Sequence, residues 1–520
     1  MIRPKPLVFT RLPRSAITLA LCALLGACAV GPDYQRPELD VGASYKEALG
    51  QQQVEGWKPA QPRDEADRGK WWLVYGDDTL NTLVERLDTS NQTIAQAEAN
   101  YRQALGLVRA ARAGFYPTVG ASAGASRAGV GNGSSSSTNG SNVSNQYSVT
   151  GSVSWEVDVW GRVRRSTESS EASAAASLAD LGATRLSAQA ALVQTYFQLR
   201  VLDEQKRLLD ATVAAYERSL KLTQNRYEVG VAGQADVAVA RTQVESTRAQ
   251  SIDLDWQRGQ YEHAIAVLMG QAPSQFGLAP AVFTLQLPRI PVGLPSELLE
   301  RRPDIAAAER RAAAANAQIG VAQAAWFPSL ILSADGGFRN GQFADLLTAP
   351  ARFWSLGPAL ALTIFDGGAR AAQVEQARAS YDSQAAAYRQ AALVGLREVE
   401  DYLIQLRVME QEQIVQRRAL ESARESLRLI QNQYQAGLVD YLSVAVVDAT
   451  ALNSERNALS LLGTRLVASV NLIVALGGGW EVASQEAPVT QGGQGTQQPP
   501  VSQETQESRV SQQPPVPQGS

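Results

Sequence analysis

The chain has 520 residues, length enough for two or three ordinary domains, with a formal net charge of −4 and only 19% charged residues. That balance leaves no basic footprint for nucleic acid, and one histidine (His263) cannot build a histidine-based metal cluster. No cysteine pair, nucleophile elbow or phosphate loop is present, and Gly477-Gly478-Gly479 lacks the Lys and Ser/Thr that would follow in the last of these. The expectation is therefore no enzyme, no cofactor and no metal. A cell-wall hydrolase would need a discrete pocket with paired carboxylates. Forty-one glycines, few aromatics and abundant alanine point to close backbone packing.

Residues 1–27 read as an export signal. Arg3, Lys5, Arg11 and Arg14 precede a short apolar core, Ile17 to Leu25, too short for a permanent span. The run Leu25-Gly26-Ala27-Cys28 resembles the bacterial lipoprotein box, in which Cys28 is lipidated and becomes the first residue; an ordinary cleavage site before a chance cysteine is the alternative. Cys22 leaves with the signal, so the mature chain keeps one cysteine and no internal disulfide. Ala29 and Val30 follow without an aspartate, which resembles outer-membrane sorting. After the signal no apolar run reaches spanning length, so a membrane crossing would have to use strands.

A helix is expected over about 79–114, then strands near 115–126 and 147–160. Tyr147, Val149, Val153, Trp155, Val157 and Val159 share one face of the second, against Ser148, Thr150, Ser152, Ser154, Glu156 and Asp158. A proline-free helix follows from Gly161 to about Glu228, turns at Gly230 and returns to Gly270. All of this is then written again about 207 residues later: Gln224, Asn225, Tyr227, Gly230, Arg258 and Gly270 fall on Gln431, Asn432, Tyr434, Gly437, Arg465 and Gly477. The second copy predicts a helix at 303–325, strands near 326–337 and 353–365, and a hairpin from Gly368 through about Ala436 and Gly437 to Gly477. Its last strand alternates Trp354, Leu356, Leu360, Leu362 and Ile364 with smaller residues.

A soluble half-buried sheet would show the same alternation. In an exported chain, polar rows of small residues also suit a membrane barrel. Four strands cannot close one, since about eight is the minimum. Open edges are not tolerated in hydrocarbon, so several chains must share the barrel: a dimer of eight strands or a trimer of twelve. The loops, 129–146 and near Gly336 to Arg352, would face the exterior.

In the long helices Leu199, Leu202, Lys206, Leu209, Val213, Tyr216, Leu220, Thr223 and Tyr227 form a heptad seam, as do Leu396, Val399, Leu403, Leu406, Leu420, Leu427 and Tyr434. A plain antiparallel coiled coil needs only that seam. The alanine-rich second face, Ala172 to Ala176 with Ala183, Ala188, Ala190 and Ala191, lets helices close sideways into a ring. Helices about 100 Å long closed in a ring make a duct.

Several motifs in order resemble the outer membrane factor (TolC-like) family, in its lipoprotein drug-efflux branch. They are Val30-Gly31-Pro32-Asp33-Tyr34, Trp71-Trp72 at the opening of the first helix, Arg301-Arg302-Pro303-Asp304-Ile305 with Glu309, Asn316 and Ile319-Gly320, and Leu476-Gly477-Gly478-Gly479-Trp480. The resemblance implies a mainly α fold with a small β part. Very long antiparallel hairpins would form a periplasmic α-barrel, and each chain would give four strands to a shared barrel in a homotrimer. It divides the chain into a signal (1–27), an anchored equatorial segment (28–78), a first repeat (79–270), a linker (271–300), a second repeat (301–478) and an equatorial end with a Gln/Pro-rich tail (479–520). It implies passive efflux of drugs or small toxic compounds in the outer membrane, with a periplasmic adaptor and an inner-membrane proton-driven RND-type exporter as partners. A duct for type I protein secretion or for metal-ion efflux is the neighbouring reading, and a non-conducting coiled-coil lipoprotein a third. The resemblance puts a periplasmic gate at the hairpin tips, through Arg226, Tyr227, Asp236, Tyr434, Asp440, Tyr441 and Asp448. Val446 stands where the family carries an aspartate, which puts an identical constriction ring in doubt. Asp236 and Asp440 would serve equally well as helix caps.

Overall fold

The structure, a computed structural model, describes residues 30–39, 45–47, 69–129, 143–282, 287–288, 290 and 301–478. Cys28, the export signal, the Gly/Ser-rich loop 130–142 and the tail from 479 lie outside the described residues. In chain order the elements are α1 (Asp78–Ser90), α2 (Gln92–Ala113), β1 (Thr118–Gly129), β2 (Val143–Val157), α3 (Arg162–Glu228) and α4 (Gln234–Leu268). The second half repeats them as α5 (Pro303–Ala324), β3 (Ser329–Asn340), β4 (Arg352–Ala361), α6 (Ala369–Gln435) and α7 (Tyr441–Ala475).

The helix expected over 79–114 is broken at Asn91. This residue is extended, and its Oδ1 accepts the amides of Thr93 and Ile94 at 2.9 and 3.0 Å, ending α1 and capping α2. The break lets α2 start where α4 stops. Asn91 Nδ2 donates to the Leu268 carbonyl and Ser90 Oγ to that of Met269, both at 2.8 Å. Gly270 (φ 65°) passes so close that a Cβ there would lie 2.2 Å from the Ser90 oxygen. The other repeat is spliced the same way: Gly477 (φ 92°) would put a Cβ 2.8 Å from Arg301 Cβ, and Arg302 Nη1 donates to the Ala475 carbonyl at 3.3 Å as α5 begins. The two repeated glycines thus mark splices, and each 67-residue helix pairs with two shorter ones stacked end to end. Trp71 and Trp72 fall in a short 3-10 turn, Trp71–Tyr75, ahead of α1, and are buried in the main core.

Burial on α3 follows the seam. Leu202, Leu209, Tyr216 and Thr223, seven residues apart, are all buried, while Tyr227 at the end is not. The alanine face is used within the chain, with Ala179 of α3 packing against Ala306 and Ala307 of α5. One expectation needs correcting: α7 is long and apolar enough to span a bilayer by composition, with a mean hydropathy of 1.7 over its best window. Half of that window is buried in the protein, with Leu466, Val470, Leu472 and Ile473 in the main core, so its apolarity belongs to helix packing.

The four strands form one antiparallel sheet in the order β1-β2-β3-β4, with β1 and β4 as unpaired edges. β1 and β3 begin about three residues later than expected because Pro117 and Pro328 precede them and cannot donate to a ladder. β2 starts earlier, at Val143, and ends at Val157, where the chain turns toward α3; Val159 and Trp160 are outside it. β4 stops at Ala361, so Leu362 and Ile364 follow the strand. Gly336 to Asn340, expected as loop, belong to β3.

Candidate functional site

The two ends of the long helices carry the chemistry. At the hairpin tips the halves are bound through Arg226 of α3. Its guanidinium lies 4.5 Å from the centroid of the Tyr434 ring, while Nη1 and Nη2 donate to the carbonyls of Tyr434 and Gln435 at 3.1 and 3.3 Å. Tyr434 shares its hydroxyl with Thr223 at 3.1 Å and meets Tyr441 edge to face at 5.6 Å. Both tyrosines are buried with Ala240, Val444 and Ala445. A cation held by two carbonyls over an aromatic face is a strong, directional clip.

The three aspartates play different parts. Asp236 accepts the Gly233 amide at 3.0 Å as a cap of α4. Asp440 caps α7 through the amide and hydroxyl of Ser443, at 3.0 and 2.6 Å, and these bonds hold its carboxyl below the ordinary value. Asp448 lies partly buried near Tyr216 of α3. Burial pushes its carboxyl up to about 6, opposed by a hydrogen bond from Tyr216 and aided by Glu455. Tyr216 is itself buried, its pKa raised by that burial, and takes a bond from Gln243 of α4 at 3.1 Å. Arg226, Tyr434 and Tyr441 are therefore one cluster and Asp448 a second. Tyr227 stays 46% exposed beside them. From the sequence Thr223 and Tyr216 read only as seam positions, and Gln243 carried no signal. The first two sit on the leucine seam, where a hydroxyl is out of pattern.

At the other end the strand register builds a continuous apolar face: Val119–Val153–Ala334–Leu356, Trp155–Leu332–Pro358 and Val157–Leu330–Leu360. The opposite face carries Gly120–Ser152–Asp335–Ser355 and Thr118–Ser154–Ser333–Gly357. Among the described residues nothing covers the apolar side: Trp354 is 82%, Leu356 75% and Val119 78% exposed. Aromatic side chains edge the sheet where it meets the helices, with Trp160 stacked on Phe327 at 4.8 Å and its indole donating to the Pro328 carbonyl at 2.8 Å.

A strap fixes the described amino end at that junction. Val30 donates to the Trp160 carbonyl at 3.1 Å. Arg165 Nη2 reaches Asp33 at 2.8 Å, Asn316 holds the Pro32 carbonyl at 2.9 Å, and Tyr34 donates to Glu309 at 2.8 Å. Gly320 is required, because a Cβ would lie 2.8 Å from the Val30 oxygen. Two motifs nearly 300 residues apart in sequence are thus each other's partners. Farther along, the backbone of Lys46 and Glu47 bonds Glu400, and Arg407 pairs with Glu47.

Long spliced hairpins joined to a sheet that is bare on one face and open at both edges define a membrane-channel subunit; the chain belongs to the outer membrane efflux protein family, whose profile matches residues 83–271 and 294–478. It is 32% identical to the probable efflux pump outer membrane protein TtgC of Pseudomonas putida, over 90% of this chain and 96% of that one. It is 31% identical to the outer membrane protein OprJ of Pseudomonas aeruginosa, over 91% and 97%. Among solved structures it superposes on the outer-membrane channel OprN with a TM-score of 0.76 at 30% identity, covering 87% of this chain and all of that one. The open-state MtrE channel of Neisseria gonorrhoeae gives 0.75 at 27% identity, over 87% and 98%.

Proposed function

We propose that this chain is the outer-membrane channel subunit of a tripartite efflux system, a homotrimer that gives drugs or other small toxic compounds a passive route across the periplasm and outer membrane. The observation that carries the reading is the unfinished sheet. Its apolar face runs from Val157 to Tyr147 on β2, which at about 3.4 Å per residue and a barrel tilt is about 25 Å, the height of an outer-membrane apolar band. Two open edges in hydrocarbon call for neighbours, and three chains give twelve strands and a helical tunnel. The relatives' names, toluene, antibiotic and pyoverdine export among them, support a cargo of small molecules. The partners are then a periplasmic adaptor and an inner-membrane RND-type exporter.

Cys28 carries the lipid in this reading. Val30, two residues on, is bonded at the aromatic end of the sheet, a place from which acyl chains reach the bilayer. The periplasmic gate is the tip: Arg226, Tyr434 and Tyr441 as clip, Asp448 as brace, and Asp236, Asp440 and Tyr227 at the mouth. Three copies of the exposed Asp440 about one axis disfavour anions.

Planar-bilayer recording of the purified protein tests the function, with stepwise cation-preferring conductance expected and no conductance overturning it. In the same assay, unchanged conductance and selectivity of an Asp440→Ala, Asp448→Ala double variant would discard the gate assignment. Mass spectrometry of the mature amino terminus tests the lipid on Cys28.

A further inference from the structure

The apolar face of the sheet changes character at its loop end. Below, the rows are Val119–Val153–Ala334–Leu356 and Ala121–Gly151–Gly336–Trp354. Then come Ala123–Val149–Phe338–Arg352, Ala125–Tyr147–Asn340 and Arg127–Asn145. The register runs without a break, so Arg127 and Arg352 stand on the same side as Val119 and Trp354, and both are exposed. Among the described residues neither has a carboxylate partner, and the sequence 130–142 that follows β1 contains no acid. The remaining ionised groups at this end are Arg339, on the polar face over the Phe353 ring at 4.6 Å, and Asp345.

At the upper margin of a lipid-facing band an arginine costs little, and its long side chain reaches the headgroup level, where anionic groups are the partners at hand. We infer that Arg127 and Arg352 form a binding site for the phosphate groups of the outer-leaflet glycolipid, lipopolysaccharide. Guanidinium groups suit phosphate because their donors engage two oxygens at once. The aromatic residues around them, Trp354 below Arg352, Phe338 level with it, and Tyr147 between the rows of the two arginines, would lie against the acyl chains of the same lipid. The two arginines belong to opposite edge strands, β4 and β1. Their meeting in one site rests on the shared barrel proposed above, where the β1 of one subunit lies beside the β4 of the next; the position of each arginine on the lipid-facing side does not.

Native mass spectrometry of the full-length protein in detergent, titrated with bisphosphorylated lipid A and with its fully dephosphorylated form, tests this. The wild type is expected to retain the phosphorylated lipid and release the other. Arg127→Gln with Arg352→Gln should weaken retention at least about tenfold, and the Arg127→Lys, Arg352→Lys pair should recover only part of it, because lysine keeps the charge without the fork. Equal retention of the two lipids by the wild type, or undiminished retention by the glutamine pair, overturns the site. The same spectra report the subunit count. A monomer that retains neither lipid would refute the shared barrel, whereas an intact trimer that does not distinguish the two lipids would overturn the site alone.

Discussion

Arg226 lies 4.5 Å over the ring of Tyr434 and donates to the carbonyl of that same residue at 3.1 Å, so a single side chain joins the first hairpin to the second. The repeat does not reciprocate: the position equivalent to Arg226 is Gln433. Replacing Arg226 by Ala should remove about 1–2 kcal/mol of tip cohesion and raise single-channel conductance. Arg226→Lys, which keeps the charge and loses the fork, should fall between. Equal conductance in all three would mean that the clip does not hold the mouth.

Asp448 makes the tip sensitive to pH. Its carboxyl is raised to about 6 from the ordinary 3.8, first by burial, so the folded state holds this proton more tightly than the unfolded chain. The associated stability is present below about pH 4 and is lost as pH rises through about 6. Tyr216, the facing group on α3, stays neutral throughout because burial raises its pKa. Hydrogen exchange of the first turns of α7, corrected for intrinsic rates, should therefore be slower near pH 5 than near pH 7.5. Asp448→Asn should flatten the difference.

The two capping aspartates should act locally. Asp236→Ala and Asp440→Ala each remove a cap, fraying the first turn of α4 or α7 in hydrogen exchange. The thermal unfolding temperature of the whole protein should barely move.

The strap depends on the close approach of Gly31 and Gly320. Gly320→Ala would set a methyl group 2.8 Å from the Val30 oxygen and from Arg165 Cγ, an overpacking cost of about 1–3 kcal/mol. Limited proteolysis should then cut within residues 30–39, and Tyr34→Phe should have a smaller effect of the same kind. Resistance equal to wild type would show that the strap absorbs the methyl.

The long helices and the alternating strands were legible because one period governs many residues: the step from Leu202 to Leu209, Tyr216 and Thr223, and the side-to-side pattern of β2. What the sequence hid are partners distant along the chain. Gly270 and Gly477 read as helix ends, yet each is a splice whose second half lies about 180 residues earlier. Asn91 looked like an ordinary residue of one long helix, because a capping asparagine is recognisable only when something interrupts the helix. Asp448, Tyr216 and Gln243 come from three helices, so no local spacing links them. Asp236 and Asp440, which the sequence offered equally as caps or as mouth residues, do cap their own helix starts.

The strap has a consequence for the order of biogenesis. Residues 30–34 leave the ribosome early and meet Trp160 and Arg165 while most of the chain is still to come, but their other partners are Glu309, Asn316 and Gly320, and Glu47 pairs with Arg407. The strap therefore stays incomplete until well over half of the polypeptide has been made. Its completion is a late event of maturation, a latch that a chain stalled before the second repeat can never close.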